Sequence, residues 1–330
     1  MSALEQAIPY FPARIRQALR RIPADTASQV EEVRLRIQRP VMLVLADRDA
    51  FLGDHGIVRS AQAGINWSAE DANSFIEAVS QASLYAVEQQ VKQGFITLPG
   101  GHRVGLVGQV VPEGGGIRTI RHFSSFNVRL ARQVFGAADA ALPHLVQGGR
   151  LYHTLIASAP GCGKTTLLRD LIRQVSNGVG RLGLPGMRVA VADERSELAA
   201  CFRGLPQLDV GMRTDVLDGC PKSLGIGLLL RAMGPQVIAT DEIGADADGR
   251  ALEEALNSGV TLVATAHGAS IVELRRRPVL ARLLDQGAFE RVLLLSRRQG
   301  PGTLEDIIQL TRKEIGDQPK RAWVVGESCG

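Results

Sequence analysis

The sequence predicts an α/β protein: a parallel sheet covered by helices on both faces, preceded by an N-terminal α+β domain. Three observations predict it. From Leu151 onward, short apolar runs alternate with helical patterns, the rhythm of strand–helix–strand units. Before residue 136 the pattern is mixed, with hairpin turns and isolated helices. Between the two, Gly136–Gly149 is rich in Gly and Ala and reads as a linker. The expected division is residues 1–145 and 146–330, with 136–149 as the linker region.

Length and composition agree with this reading. The chain has 330 residues, which suggests two domains, and 45% hydrophobic residues, enough for real cores. Its net charge is +4, although 33 of its 38 cations are Arg. The 34 acids nearly balance them, which argues against a basic nucleic-acid arm. No apolar run approaches the roughly 18–20 residues of a membrane span, and Glu5 and Pro9 interrupt any signal-like pattern. Cys162, Cys201, Cys220 and Cys329 form no CxxC pair, which argues against a zinc site or disulfide framework. A soluble protein of a reducing compartment is expected.

In order, a short helix precedes residue 24, with Phe11, Ile15 and Leu19 on one face. Val33–Ala46 reads as a strand. Ser68 and Asp71 form a capping pair that opens a helix through about Lys92, striped by Phe75, Ile76, Val79, Leu84, Val87 and Val91. Phe95–Leu98 and Arg103–Val111 read as a hairpin about Pro99-Gly100-Gly101, and Ile117–Arg132 as its continuation. Beyond Leu151 come strands at Thr154–Ala157, Arg188–Ala192, Gln236–Thr240, Thr261–Ala266 and Arg291–Ser296. Helices are expected at Lys164–Ser176, Asp248–Asn257 and Ile271–Leu284, and a polar end at Lys313–Gly330.

Four motifs fall at the ends of these strands, where ligands of such sheets lie. Ser158-Ala-Pro-Gly161-Cys162-Gly163-Lys164-Thr165-Thr166 follows a strand and opens a helix. Glycines there let backbone N–H groups form an anion nest, and the helix N-terminus adds its positive dipole end. Lys164 would reach the β and γ phosphates of a nucleotide and the Thr165 hydroxyl would ligate Mg²⁺. Ser158 stands where the usual first Gly of such a loop would be. Asp241-Glu242 ends an apolar strand: Asp241 suits Mg²⁺, and Glu242 suits a general base that polarises the attacking water. Asp193-Glu194-Arg195-Ser196-Glu197 offers acids that could place metal or water, with Asp193 toward the metal and Glu194 toward the water. His267 could sense the γ-phosphate. No Asn-Lys-x-Asp string reads guanine, which favours ATP over GTP.

In this order the motifs resemble the Walker A, acidic-box, Walker B and histidine-box elements of type II and type IV secretion ATPases. Longer strings narrow the likeness: Asp193–Ala199, Asp209–Lys222, Gly300–Glu305, Glu31–Pro40 and Gly101–Gly105 resemble the stage III sporulation protein AA family. The resemblance spans roughly residues 31–308. It implies a RecA-like P-loop NTPase core and a cytoplasmic ATPase, peripheral at the membrane through a partner, at the base of a secretion-like channel between mother cell and forespore. It also implies a ring-shaped homo-oligomer, a hexamer, and a membrane-associated channel component as partner. In a ring, an arginine finger would stabilise charge on the γ-phosphate. Arg103, Arg118, Arg121, Arg195, Arg213 and Arg231 are candidates, Arg121 and Arg213 first. Two other readings compete: a nucleic-acid-dependent RecA-like ATPase, and a nucleotide-stabilised scaffold without turnover. Only 9 Phe, 3 Tyr and 2 Trp are present to stack bases, and Glu242 speaks for turnover.

Overall fold

The computed structural model describes residues 2–83, 87–311 and 324–325. Leu84, Cys329 and, apart from 324–325, the expected polar end at 313–330 lie outside the described residues. The chain divides into two compact units, residues 1–132 with 200–207, and residues 133–199 with 208–330.

The first unit begins with helices α1 (Ala3–Ala7), α2 (Ala13–Arg20) and α3 (Ala24–Ala27). Ile15 and Leu19 of α2 are fully buried, as is Phe11 just before it. Strands β1 (Val30–Arg36), β2 (Met42–Leu45), β3 (Asp49–Gly53) and β4 (Gly56–Val58) follow, then α4 (Ala69–Val79) and α5 (Glu88–Lys92). Strands β5 (Phe95–Thr97), β6 (Arg103–Glu113) and β7 (Gly116–Arg129) complete an antiparallel sheet of order β4-β3-β2-β1-β7-β6-β5. Trp67, Phe75 and Phe126 meet edge to face in its core, with Phe75 and Phe126 ring centroids 5.1 Å apart.

Two expectations are corrected in this unit. Val33–Ala46 is not one strand. It is the β1–β2 hairpin, with Val33 opposite Leu43. Gln38 takes a left-handed φ of 61° and Pro40 interrupts the ladder, so the chain must turn there. The helix from Ser68 opens with the expected reciprocal cap: Asp71 N–H donates to Ser68 Oγ at 3.0 Å and Ser68 N–H to Asp71 Oδ2 at 3.0 Å. It stops at Val79, because Gln81 and Ala82 adopt φ of 53° and 58°, which no right-handed helix accepts. Residues 200–207 join this unit by close backbone packing. A Cβ on Gly101 (φ 78°) would stand 2.5 Å from that of Ala200, and Gly100 N–H donates to Gln207 Oε1 at 2.9 Å.

The second unit carries α6 (Leu142–Leu145) and a two-stranded ribbon of β8 (Val146–Gln147) and β9 (Arg150–Leu151). The stretch expected as a linker is packed here. Ala138, Leu142 and Leu145 are fully buried, and Ala138 N–H donates to the buried Asp170 carboxylate at 2.9 Å. Then come β10 (Thr154–Ser158), α7 (Lys164–Asn177), β11 (Val189–Asp193), β12 (Thr214–Asp218), α8 (Lys222–Met233), β13 (Val237–Thr240) and α9 (Asp246–Asn257). After them run β14 (Thr261–His267), α10 (Ile271–Arg275), α11 (Pro278–Asp285), β15 (Arg291–Ser296), β16 (Thr303–Thr311) and β17 (Val324–Val325). Pro278 divides the single helix expected over Ile271–Leu284.

Among the described residues the strand order is β12-β11-β13-β14-β10-β15-β16-β17. The first six are parallel, β16 pairs antiparallel with β15, and β17 pairs antiparallel with β16. Every residue of β10, β11 and β13 is buried, as strands covered on both faces require. This is why they read as short unbroken apolar runs. The parallel arrangement brings the carboxyl ends of β10, β11, β13 and β14 to one edge. Ser158 pairs with His267 and Ala192 with Thr240 in register.

Candidate nucleotide site

The loop after β10 wraps the N-terminus of α7. Gly161 and Gly163 take left-handed φ of 71° and 87°. A Cβ on Gly163 would meet Gly302 N at 2.8 Å, because the loop after β15 lies against it and Gly302 N–H donates to Cys162 O at 2.9 Å. Position 163 therefore needs glycine for both its dihedral and its space. Cys162 is buried between the two glycines, and Thr165 and Thr166 occupy the first turn of α7. Ser158 ends β10 fully buried, its hydroxyl donating to Ala159 O.

Lys164 is the first residue of α7 and is buried. Its ammonium folds back over the loop, donating to Ser158 O (3.1 Å), Ser158 Oγ (3.2 Å) and Ala159 O (3.1 Å). It also stands 3.2 Å from His267 Nδ1. Burial holds its pKa below the usual lysine value. The other ring nitrogen of His267, Nε2, lies 2.9 Å from Glu242 Oε1. Since an ammonium can only donate, these partners assign the His267 proton to Nε2. The three side chains form one line from the phosphate-loop lysine to the carboxylate.

Glu242 leaves β13 with φ of +25°, an unfavourable value for a residue with a side chain. Strand β14 holds it there: Glu242 N–H donates to buried Thr265 Oγ1 at 2.7 Å and Ile243 N–H to Thr265 O at 2.8 Å. Asp241, one residue earlier, is buried. Its Oδ1 lies 3.2 Å from Lys222 Nζ but has no hydrogen bond of good geometry. Burial pushes the Asp241 carboxyl up, and the Lys222 charge partly offsets this. The Asp241 carboxylate and the Thr165 hydroxyl are hard oxygen donors of the type that Mg²⁺ takes.

Asp193 takes a different part from the metal ligand expected of it. Its carboxylate is fully buried and accepts from three backbone amides, Glu197 (2.9 Å), Leu198 (3.0 Å) and Ala199 (2.9 Å). Both oxygens are thereby occupied in fixing the loop that follows β11. Burial, and secondarily the charge of Asp241, push its pKa up to about 6 against the pull of those amides. Buried Arg169 of α7 closes the same loop, donating to Glu197 O at 2.6 Å and to Leu198 O. Glu194 is exposed and reaches toward Lys222, 3.6 Å away. Among the described residues no group of three or more His, Cys, Asp or Glu side chains converges as a metal cage.

The arginines are dispersed. Arg195 is exposed on the loop after β11, close enough for its charge to act on Asp241. Arg213 precedes β12 at the amino end of the sheet and donates to Ser176 O at 3.0 Å. That is a strand's length, roughly 16 Å, from the edge that carries Lys164 and Glu242. Within its own chain it is not beside the site. Arg231 is exposed on α8. The other candidates belong to the first unit: Arg103 stacks on Phe95 at 3.6 Å, Arg118 pairs with Glu113 at 3.8 Å, and Arg121 is exposed on β7. The sequence pattern assigns no role to Lys222, Thr265, Gly302 or Arg169. Lys222 and Gly302 lie in the family-like strings, which is the one signal that marks them. Thr265 acts on the end of the neighbouring strand and Arg169 on the loop after β11, contacts that no local pattern encodes.

The family described as Sporulation stage III, protein AA matches residues 2–315. Stage III sporulation protein AA of Bacillus subtilis is 45% identical over 297 residues, covering 90% of this chain and 92% of that protein. The uncharacterized protein ycf45 of Porphyra purpurea is 30% identical over 60% of this chain and 34% of its own length. Among solved structures, the ATPase DotB of Legionella pneumophila superposes with a TM-score of 0.53 at 15% identity, over 80% of this chain and 72% of that one. The pilus retraction motor PilT with bound ADP superposes with 0.53 at 13% identity, over 91% and 79%. These two likenesses establish the fold, a RecA-like core with an N-terminal domain. No described helix is long and apolar enough to cross a membrane. By the extent of the profile match and the identity to its Bacillus relative, the chain belongs to the stage III sporulation protein AA family.

Proposed function

We propose that this protein is an ATP-hydrolysing motor or assembly ATPase of a sporulation channel, with Glu242 as general base. The observation that carries the reading is the line Lys164–His267–Glu242, which joins the phosphate-loop lysine to a carboxylate across three strand ends. ATP enters with its phosphates in the nest of Gly161–Thr166. The γ-phosphate draws Lys164 Nζ away from the carbonyls of Ser158 and Ala159. His267 senses this movement through Nδ1, which loses its ammonium partner while Nε2–H stays on Glu242 Oε1. Glu242 accepts a proton from the water that attacks the γ-phosphorus, and the bond to the β-phosphate oxygen breaks to leave ADP. Mg²⁺, held by Thr165 and Asp241, supplies charge neutralisation on the phosphates when bound.

The fold neighbour PilT is a pilus retraction motor, and the Bacillus relative is a sporulation protein, which supports a motor that works on a membrane-associated channel component. We propose a hexameric ring of this chain, peripheral at the cytoplasmic face of the membrane, in which a neighbour supplies the arginine finger. Arg121 leads, and Arg213 qualifies only from a neighbouring copy. Phosphate release from concentrated protein with ATP and Mg²⁺ tests the reading. Lys164→Ala is expected to abolish ATP binding and turnover. Wild-type turnover in Lys164→Ala, or none in the wild type under assembling conditions, would refute it.

A further inference from the structure

Only five lysines occur in the chain, and two of them, Lys164 and Lys222, are buried first residues of helices in the second unit. For Lys164 the phosphate loop accounts for the place. Lys222 has no such account. Three costs meet there: an ammonium removed from water, a cation at the positive end of the twelve-residue helix α8, and a long side chain held in one conformation. Buried ion pairs seldom repay such costs in stability. What Lys222 gains is position. Its Nζ lies 3.2 Å from Asp241 Oδ1 and 3.6 Å from Glu194 Oε2, and it donates to Glu242 O at 3.0 Å. The last contact grips the carbonyl of the residue whose left-handed φ Thr265 fixes through its N–H.

We propose that Lys222 is a positioning residue: an internal counter-cation that holds Asp241 and the Glu242 backbone in register while no Mg²⁺ is bound. This rests on the hydrolysis reading above for its consequence, but not for its first test. It deepens that reading by assigning a resident charge to the Asp241 carboxylate. With Mg²⁺ held by Asp241 and Thr165, Lys222 would give up Asp241 Oδ1 and keep its hydrogen bond to the Glu242 carbonyl, so that the base would stay in place.

The first test uses the nucleotide-free full chain. Lys222→Met is expected to lower the melting temperature by about 5 °C or more. In an Asp241→Asn background, where the carboxylate no longer needs a counter-charge, the same substitution is expected to lower it by less than half as much. Equal losses in both backgrounds would overturn the proposal. If Lys222→Met gives no folded protein, the double variant decides: recovery of a cooperative melt supports the proposal, and continued failure overturns it. The second test is kinetic. Lys222→Met is expected to reduce kcat at least about tenfold with the KM for ATP within about threefold, the mark of a misplaced base rather than a lost binding site. An unchanged kcat would overturn the positioning role. Loss of all turnover in the wild type would count against the hydrolysis reading alone, because the melting comparison needs no ATP.

Discussion

Asp193-Glu194 and Asp241-Glu242 are the same dipeptide at the carboxyl ends of adjacent parallel strands, each following the register pair Ala192–Thr240. Their surroundings make them different groups. After Asp193 the chain folds back, and three amides saturate the carboxylate. After Asp241 it takes a left-handed step pinned by Thr265, which leaves Asp241 Oδ1 without a hydrogen bond and turns Glu242 toward His267. A carboxylate whose oxygens are occupied by backbone amides is a structural clamp, and one paired with a side-chain ammonium, which can move, is available to chemistry. The difference lies in the five or six residues that follow each pair and in what the neighbouring strand presents to them.

Exchanging like for like sets the two pairs apart most sharply. Glu242→Gln is expected to lower steady-state phosphate release by about 10²–10⁴-fold, the range for loss of a positioned base. Glu194→Gln, the same change on the other strand end, is expected to cost less than about tenfold. Equal losses would mean that the two pairs share one task.

Next in size is the effect of the clamp on folding. Asp193→Ala leaves three amides, two of them buried, without an acceptor and is expected to destabilise the second unit by about 3 kcal/mol or more in urea unfolding. The pH dependence follows from its raised pKa. The folded carboxyl titrates at about 6, against an ordinary value of 3.8, so between those values the folded state holds the proton that the unfolded state has lost. Its contribution to stability is full below about pH 4 and is lost as the pH rises through about 6. Asp193→Asn is therefore expected to lose less stability than the wild type between about pH 4 and pH 7. A steeper loss in the variant would contradict the assignment.

The smallest of these effects concerns the pin. Thr265→Val removes the acceptor for Glu242 N–H at nearly constant volume and is expected to cost about 1–3 kcal/mol in stability. It is also expected to lower kcat more than it raises KM. A change in KM alone would show that Thr265 serves binding rather than the placement of Glu242.

Much of this arrangement is legible in the sequence alone. The glycines at 161 and 163, the lysine that follows and the acids at 241 and 242 stand at the borders of apolar runs, and the parallel sheet then determines that such borders share an edge. What stays hidden is any feature whose partner is distant in the chain. Lys222 meets Asp241 only because α8 packs against β11, the strand next to β13, and Thr265 supports Glu242 only because β14 is the next strand on the other side. Gln81 and Ala82 end a helix with no Gly or Pro to announce it, whereas Pro40 and Pro278 do announce breaks that the longer apolar patterns obscure. Arg213 stands out in sequence for lying in a family-like string, yet the strand it precedes carries it to the opposite edge.

The most direct measurement is a single turnover with protein in excess over ATP and Mg²⁺ present, run on the wild type and on Glu242→Gln. With Glu242 as the base, the wild type converts bound ATP to ADP and phosphate while the variant returns its bound ATP intact. Conversion by Glu242→Gln at the wild-type rate would contradict that role.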